Sequence, residues 1–109
     1  MELLRPIDMP LDYTGNGCGT DGWKGDLVPD TLGGIDISEA CAIHDYEYSI
    51  GGTEEDREVA NMNFLCNMVI IIRRDDTWLT NEGIALKWAM QYYLAVEEYG
   101  NQYFSYNNK

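Results

Sequence analysis

A glycine pair followed by threonine, Gly51-Gly52-Thr53, separates two segments of helical period and leaves them one compact arrangement. Glycine enters left-handed backbone conformations without steric cost, so the pair stops the upstream helix. Thr53 can cap the next one, and Glu54, Glu55 and Asp56 load its first turn with the negative charge that a helix N-terminus favours. A connection this short returns the second helix antiparallel to the first. The upstream segment starts at Asp36, a predicted N-cap with Glu39 three residues later, and the downstream one ends at Arg73-Arg74, where the helix dipole favours cations. A third segment starts at Thr80 or Asn81 and carries Leu86, Ala89, Met90, Tyr93 and Val96 as one apolar stripe ending before Gly100. Neither strand alternation nor an internal repeat stands out, so the predicted class is mainly α.

The first 35 residues differ in kind. They hold all three prolines and seven of the eleven glycines, a density that reads as loop. Pro6 and Pro10 leave little room for an N-terminal helix. With 109 residues the chain fits a single domain spanning 1–109, with a C-terminal helix over about 80–99. The tail from Asn101 is polar with three aromatic residues and is expected to be held through those rings. Trp23, Trp78 and Trp88 read as core rather than as lipid contacts.

Nineteen acidic against seven basic residues give a formal charge of -12, which excludes nucleic acid as a partner and sets an anionic membrane at a disadvantage unless bound cations offset it. No apolar run approaches the roughly 18 residues of a transmembrane span; the longest is Met68 to Ile72. Residues 1–12 lack a basic region followed by an apolar core, so no secretory signal is expected there. Cys18, Cys41 and Cys66 form no CxxC pair, and one histidine is too few for a Cys/His zinc site.

That histidine lies in Cys41-Ala42-Ile43-His44-Asp45-Tyr46-Glu47-Tyr48. At about 100° per residue, Cys41, His44 and Tyr48 share a helix face while Asp45 points about 100° away. A helical histidine alone is more often packed core than catalyst, so its surroundings decide. The turn at Gly51-Gly52 sets His44 opposite Asn61, Tyr48 near Arg57 and Cys41 near Phe64, to within about one helical turn. An amide oxygen at Asn61 would accept the ring N–H and fix the tautomer. Upstream, the stretch from Tyr13 to Trp23 contains Gly15, Gly17, Gly19 and Gly22. Such spacing lets backbone carbonyls face inward as a hard cation such as calcium requires, with Asp45 as the completing carboxylate. It matches neither the EF-hand loop nor the phosphate-binding GxxxxGK[ST] pattern.

Together these residues resemble the secreted phospholipase A2 superfamily: a glycine-rich loop containing Cys-Gly, a helix bearing Cys-x-x-His-Asp-x-x-Tyr at Cys41, His44, Asp45 and Tyr48, then an antiparallel helix. Asn16-Gly17-Cys18-Gly19 is similar to the loop of the branch that carries Asn-Gly-Cys-Gly. The motif-bearing core lies within about residues 13–74. The resemblance implies a small phospholipase A2-like domain with a Gly-rich loop, two antiparallel core helices and a third helix. It implies calcium-dependent hydrolysis of the sn-2 ester of phospholipids at a membrane or micelle surface, with His44 as general base, Tyr48 bonded to the group behind it, and calcium held by Asp45 and loop carbonyls. Aligned on Cys18, the carbonyls are those of Gly17, Gly19 and Asp21 or Gly22; aligned on Tyr13-x-Gly15-x-Gly17, they lie nearer the N-terminus. It further implies a Cys18–Cys41 disulfide, with Cys66 free, if the chain meets an oxidising compartment. The family usually has Asp where this chain has Asn61, and an amide cannot stabilise an imidazolium by charge. The alternatives are a weakly active or inactive module of the same fold that binds calcium, lipid or a protein, and a helical interaction domain whose motif is accidental. The hydrolytic reading expects the imidazole to be reachable from solvent, in one pocket with its neighbouring acid.

Overall fold

The structure, a computed structural model, describes residues 2–10, 31–32, 35–75 and 81–106. Among them the protein is mainly helical: α1 (Ser38–Ile50), α2 (Glu54–Asp75), α3 (Glu82–Tyr99) and a 3₁₀ turn at Gly100–Gln102 follow a short hairpin of β1 (Thr31–Leu32) and β2 (Ile35–Asp36). The Gly-rich stretch from Tyr13 to Trp23, with Cys18, and also Trp78 and Thr80 lie outside the described residues. None of the described helices is long and apolar enough to cross a membrane.

α2 organises the core. Its buried residues Arg57, Ala60, Asn61, Phe64, Asn67, Met68, Ile71 and Ile72 recur every three or four positions, forming one stripe along the helix. That stripe packs against both α1 and α3. The main cluster joins Ile35 and Ile37, Ala40 and Cys41 of α1, Phe64, Met68, Ile71 and Ile72 of α2, and Ala85, Ala89 and Val96 of α3. Two polar residues on the stripe, Asn61 and Asn67, have specific partners. Asn67 donates to the Leu4 carbonyl at 2.8 Å and accepts from the Leu4 N–H at 2.7 Å, so its amide pairs with the N-terminal segment as a strand backbone would. Residues 2–10 contain no helix, in keeping with Pro6 and Pro10.

The end signals hold where they are local. Thr53 and Asp56 form a reciprocal pair: the Asp56 N–H donates to the Thr53 hydroxyl at 3.3 Å, and the Thr53 N–H donates to the Asp56 carboxylate at 2.9 Å. The Asn81 side chain accepts from the Ile84 N–H at 3.0 Å and caps α3. Asp36 acts differently from the N-cap expected of it. Pairing with Thr31 keeps its backbone in β2, Ile37 takes the cap position without a side-chain bond, and the Asp36 carboxylate accepts from the Ser38 N–H at 2.8 Å. It thus satisfies an amide of the first turn from one residue further out.

Three other expectations are corrected. Strands of two residues are too short to show alternation, which is why the hairpin left no trace in the pattern. Met90 and Trp88 are exposed rather than core, because the small residues Ala85 and Ala89, with Val96, take the buried face of α3. The tail is held by backbone as well as by rings: the Ser105 N–H donates to the Tyr48 carbonyl at 3.3 Å and the Gly52 N–H to the Ser105 carbonyl at 3.1 Å. Phe104 is buried beneath, edge-on to Tyr48 at 5.1 Å.

Gly51 makes that joint possible. Its φ of 72° lies in the left-handed region, and a Cβ there would run into the Ser105 carbonyl oxygen. Gly51→Ala should therefore cost about 2 kcal/mol or more and release the tail, read as a lowered Tm and faster amide exchange at Ser105. A variant as stable as the parent would contradict this role.

Candidate functional site

Helix α1 presents Cys41, His44 and Tyr48 toward α2, and all three are buried. The short connection between the helices sets the register expected from the sequence. His44 Nε2 lies 2.7 Å from Asn61 Oδ1, Cys41 and Phe64 share the main core cluster, and Tyr48 lies close enough to Arg57 to feel its charge. The Tyr48 hydroxyl also donates to Asn61 Oδ1, at 2.7 Å. His44, Tyr48 and Asn61 therefore meet at one oxygen.

Asn61 is turned by a fourth residue. Its Nδ2 donates to Glu97 Oε1 at 3.2 Å. The opposite amide orientation would set its oxygen against a carboxylate, so the network assigns the oxygen to Tyr48 and His44. An Nε2 proton would be donated to that oxygen, which would leave the lone pair of the neutral imidazole at Nδ1. Aromatic packing fixes the ring plane: Phe64 stacks on it at 4.6 Å and 25°, and Tyr48 lies at 4.2 Å. Burial pushes the Tyr48 hydroxyl up to about 12, against the opposing pull of Arg57, so it remains a neutral donor at ordinary pH.

His44 is 0 % exposed. The hydrolytic reading of the sequence expected a ring reachable from solvent, and here the imidazole is enclosed. Asp45 is partly buried on the same turn, directed away from the His44 face. Its carboxylate is a hard oxygen donor of the type calcium takes. The other predicted ligands, Gly17, Gly19 and Gly22, lie outside the described residues. Among the described residues no three His, Cys, Asp or Glu side chains gather where a metal could sit, and Asp45 is the one predicted ligand among them. Cys41 is disulfide-bonded and Cys66 is an exposed free thiol.

Sequence reasoning missed Glu97 and the part played by Arg57. The Arg57 guanidinium is buried, bonds both Glu54 carboxylate oxygens at 2.9 Å, and donates to the carbonyls of Val96 and Glu97 at 3.2 and 3.3 Å. It ties the last turn of α3 to the first turn of α2 and so holds Glu97 beside Asn61. The available signal was an arginine one helical turn before Asn61, on the same apolar face.

No family model, curated protein or solved structure matches this chain.

The clamp has a pH signature. Hydrogen bonds from Arg57 first, and from Tyr106 second, hold the Glu54 carboxyl down from its usual 4.5 to about 2. Between those values the unfolded chain binds more protons, so stability rises with pH; the contribution is complete above about pH 4.5 and is lost as pH falls toward 2. Since Glu54 is half exposed, solvent screening limits it to about 1 kcal/mol. The Tm difference between the parent and Glu54→Gln should shrink as pH falls through that window. A difference independent of pH would show that the pair contributes nothing through charge.

Proposed function

We propose that this chain is a phospholipase A2-like hydrolase, cleaving the sn-2 ester of phospholipids with calcium as cofactor. The observation that carries the reading is the convergence of His44 Nε2 and the Tyr48 hydroxyl on the Asn61 oxygen, one residue before the acid Asp45. In this reaction His44 Nδ1 takes the proton from a water that attacks the ester carbonyl, since Nε2 already holds its proton against Asn61. Asn61 keeps the ring from rotating, and Tyr48 keeps Asn61 in place. The chemistry calcium supplies when bound by Asp45 and the carbonyls of Gly17, Gly19 and Gly22 is positive charge beside the ester oxygen and the phosphate. The disulfide at Cys41 fits an oxidising compartment.

Two features favour a second reading, a module of the same fold that binds calcium, lipid or protein with little turnover. His44 is enclosed, so an ester reaches Nδ1 only from within the fold. Asn61 lacks the charge that would stabilise an imidazolium, and a carboxylate-to-amide change in a comparable position costs about 10⁴ in rate. Restoring the acid is not a single step. Asn61→Asp alone would set two carboxyl groups against each other at Glu97, where they would share a proton.

Fatty-acid release from zwitterionic vesicles with calcium tests the reading. The parent should release fatty acid slowly, His44→Gln none, and the double variant Asn61→Asp/Glu97→Gln should be faster by up to about 10⁴. If parent and double variant are both silent while calcium still binds, the binding module is the correct reading.

A further inference from the structure

Four groups form the buried chain from ring to surface: the imidazole of His44, the hydroxyl of Tyr48, the amide of Asn61 and the carboxylate of Glu97. The first three are ambivalent. An imidazole nitrogen, a hydroxyl and a primary amide can each donate or accept, so that portion is self-consistent in either direction. With the Asn61 oxygen inward, Tyr48 and His44 Nε2 both donate to it. With the Asn61 nitrogen inward, both accept from it, and the ring proton moves to Nδ1. Only an ionised carboxylate is an acceptor and nothing else.

We propose that Glu97 is a positioning residue that sets the direction of this network, and through it places the His44 proton on Nε2. Its carboxylate admits only the Asn61 nitrogen, which turns the oxygen inward. Glu97 is itself fixed from two sides. Arg57 donates to its backbone carbonyl at 3.3 Å, and Tyr93, one turn earlier on α3, lies beside its carboxylate, which helps to raise the tyrosine's pKa. The consequence for turnover rests on the hydrolytic reading, because a base needs its lone pair at Nδ1; the tautomer itself does not.

Because His44 is the sole histidine, long-range ¹H–¹⁵N correlation spectra of the labelled full-length protein report one ring without assignment, at a pH where that ring is neutral. The parent should show a single Nε2–H tautomer. Glu97→Gln, nearly isosteric, offers an amide that can donate or accept, and should give a mixture of the two tautomers. Tyr48→Phe removes a bond to the same oxygen but leaves the carboxylate in place, and should keep the single Nε2–H form. A parent ring protonated at Nδ1, an unmixed Glu97→Gln ring, or mixing in Tyr48→Phe would each overturn the proposal. On zwitterionic vesicles with calcium, Glu97→Gln should lower kcat about two-fold with KM unchanged if the two directions are of equal energy. Failure of hydrolysis in every variant would remove the hydrolytic reading and leave the tautomer result standing.

Discussion

The buried side-chain amide of Asn61 joins the three helices. His44 and Tyr48 of α1 meet its oxygen at 2.7 Å each, and the same amide reaches Glu97 of α3 through its nitrogen. A polar group with no exposure is tolerable only when its partners are present, and each unsatisfied member would cost about 1–3 kcal/mol. The apolar cluster of Phe64, Met68, Ile71 and Ile72 supplies the non-directional attraction between these helices. It would tolerate a small slide along α2. The hydrogen bonds would not, so they fix the register that the apolar contacts leave loose.

The same constraint links stability to chemistry. Arg57 binds the start of α2 to the end of α3, Gly51 lets the tail close over Tyr48, and both hold the residues around Asn61 in place. The ring of His44 gains a defined plane at the expense of access to solvent. For a binding module that enclosure is harmless; for a hydrolase it limits how substrate arrives. The proposed chemistry therefore depends on Nδ1, the ring nitrogen directed away from Asn61.

Much of the architecture was legible because it is local. Thr53 with Asp56, Asn81, and the stop at Gly51 are decided within a few residues, and the turn between α1 and α2 carries their antiparallel register as far as His44 opposite Asn61. What was not legible depends on α3. Its rotation about its own axis is not set by a short turn, so hydrophobicity alone put Met90 inside, whereas Ala85 and Ala89, with Val96, take its buried face. Glu97 was hidden for the same reason, as was the pairing of Leu4 with Asn67 across 63 residues. The Tyr48 hydroxyl bonds the Asn61 oxygen and Glu97 bonds the amide nitrogen behind it, and nothing in the motif around His44 anticipated that carboxylate.

Calcium binding by the intact chain is the most direct check on the proposed function, because it bears on Asp45 without requiring turnover. Titration calorimetry together with melting curves should show heat of binding and a Tm that rises with calcium concentration in the parent, and neither in Asp45→Asn. A parent that gives no heat and no change in Tm would contradict the account.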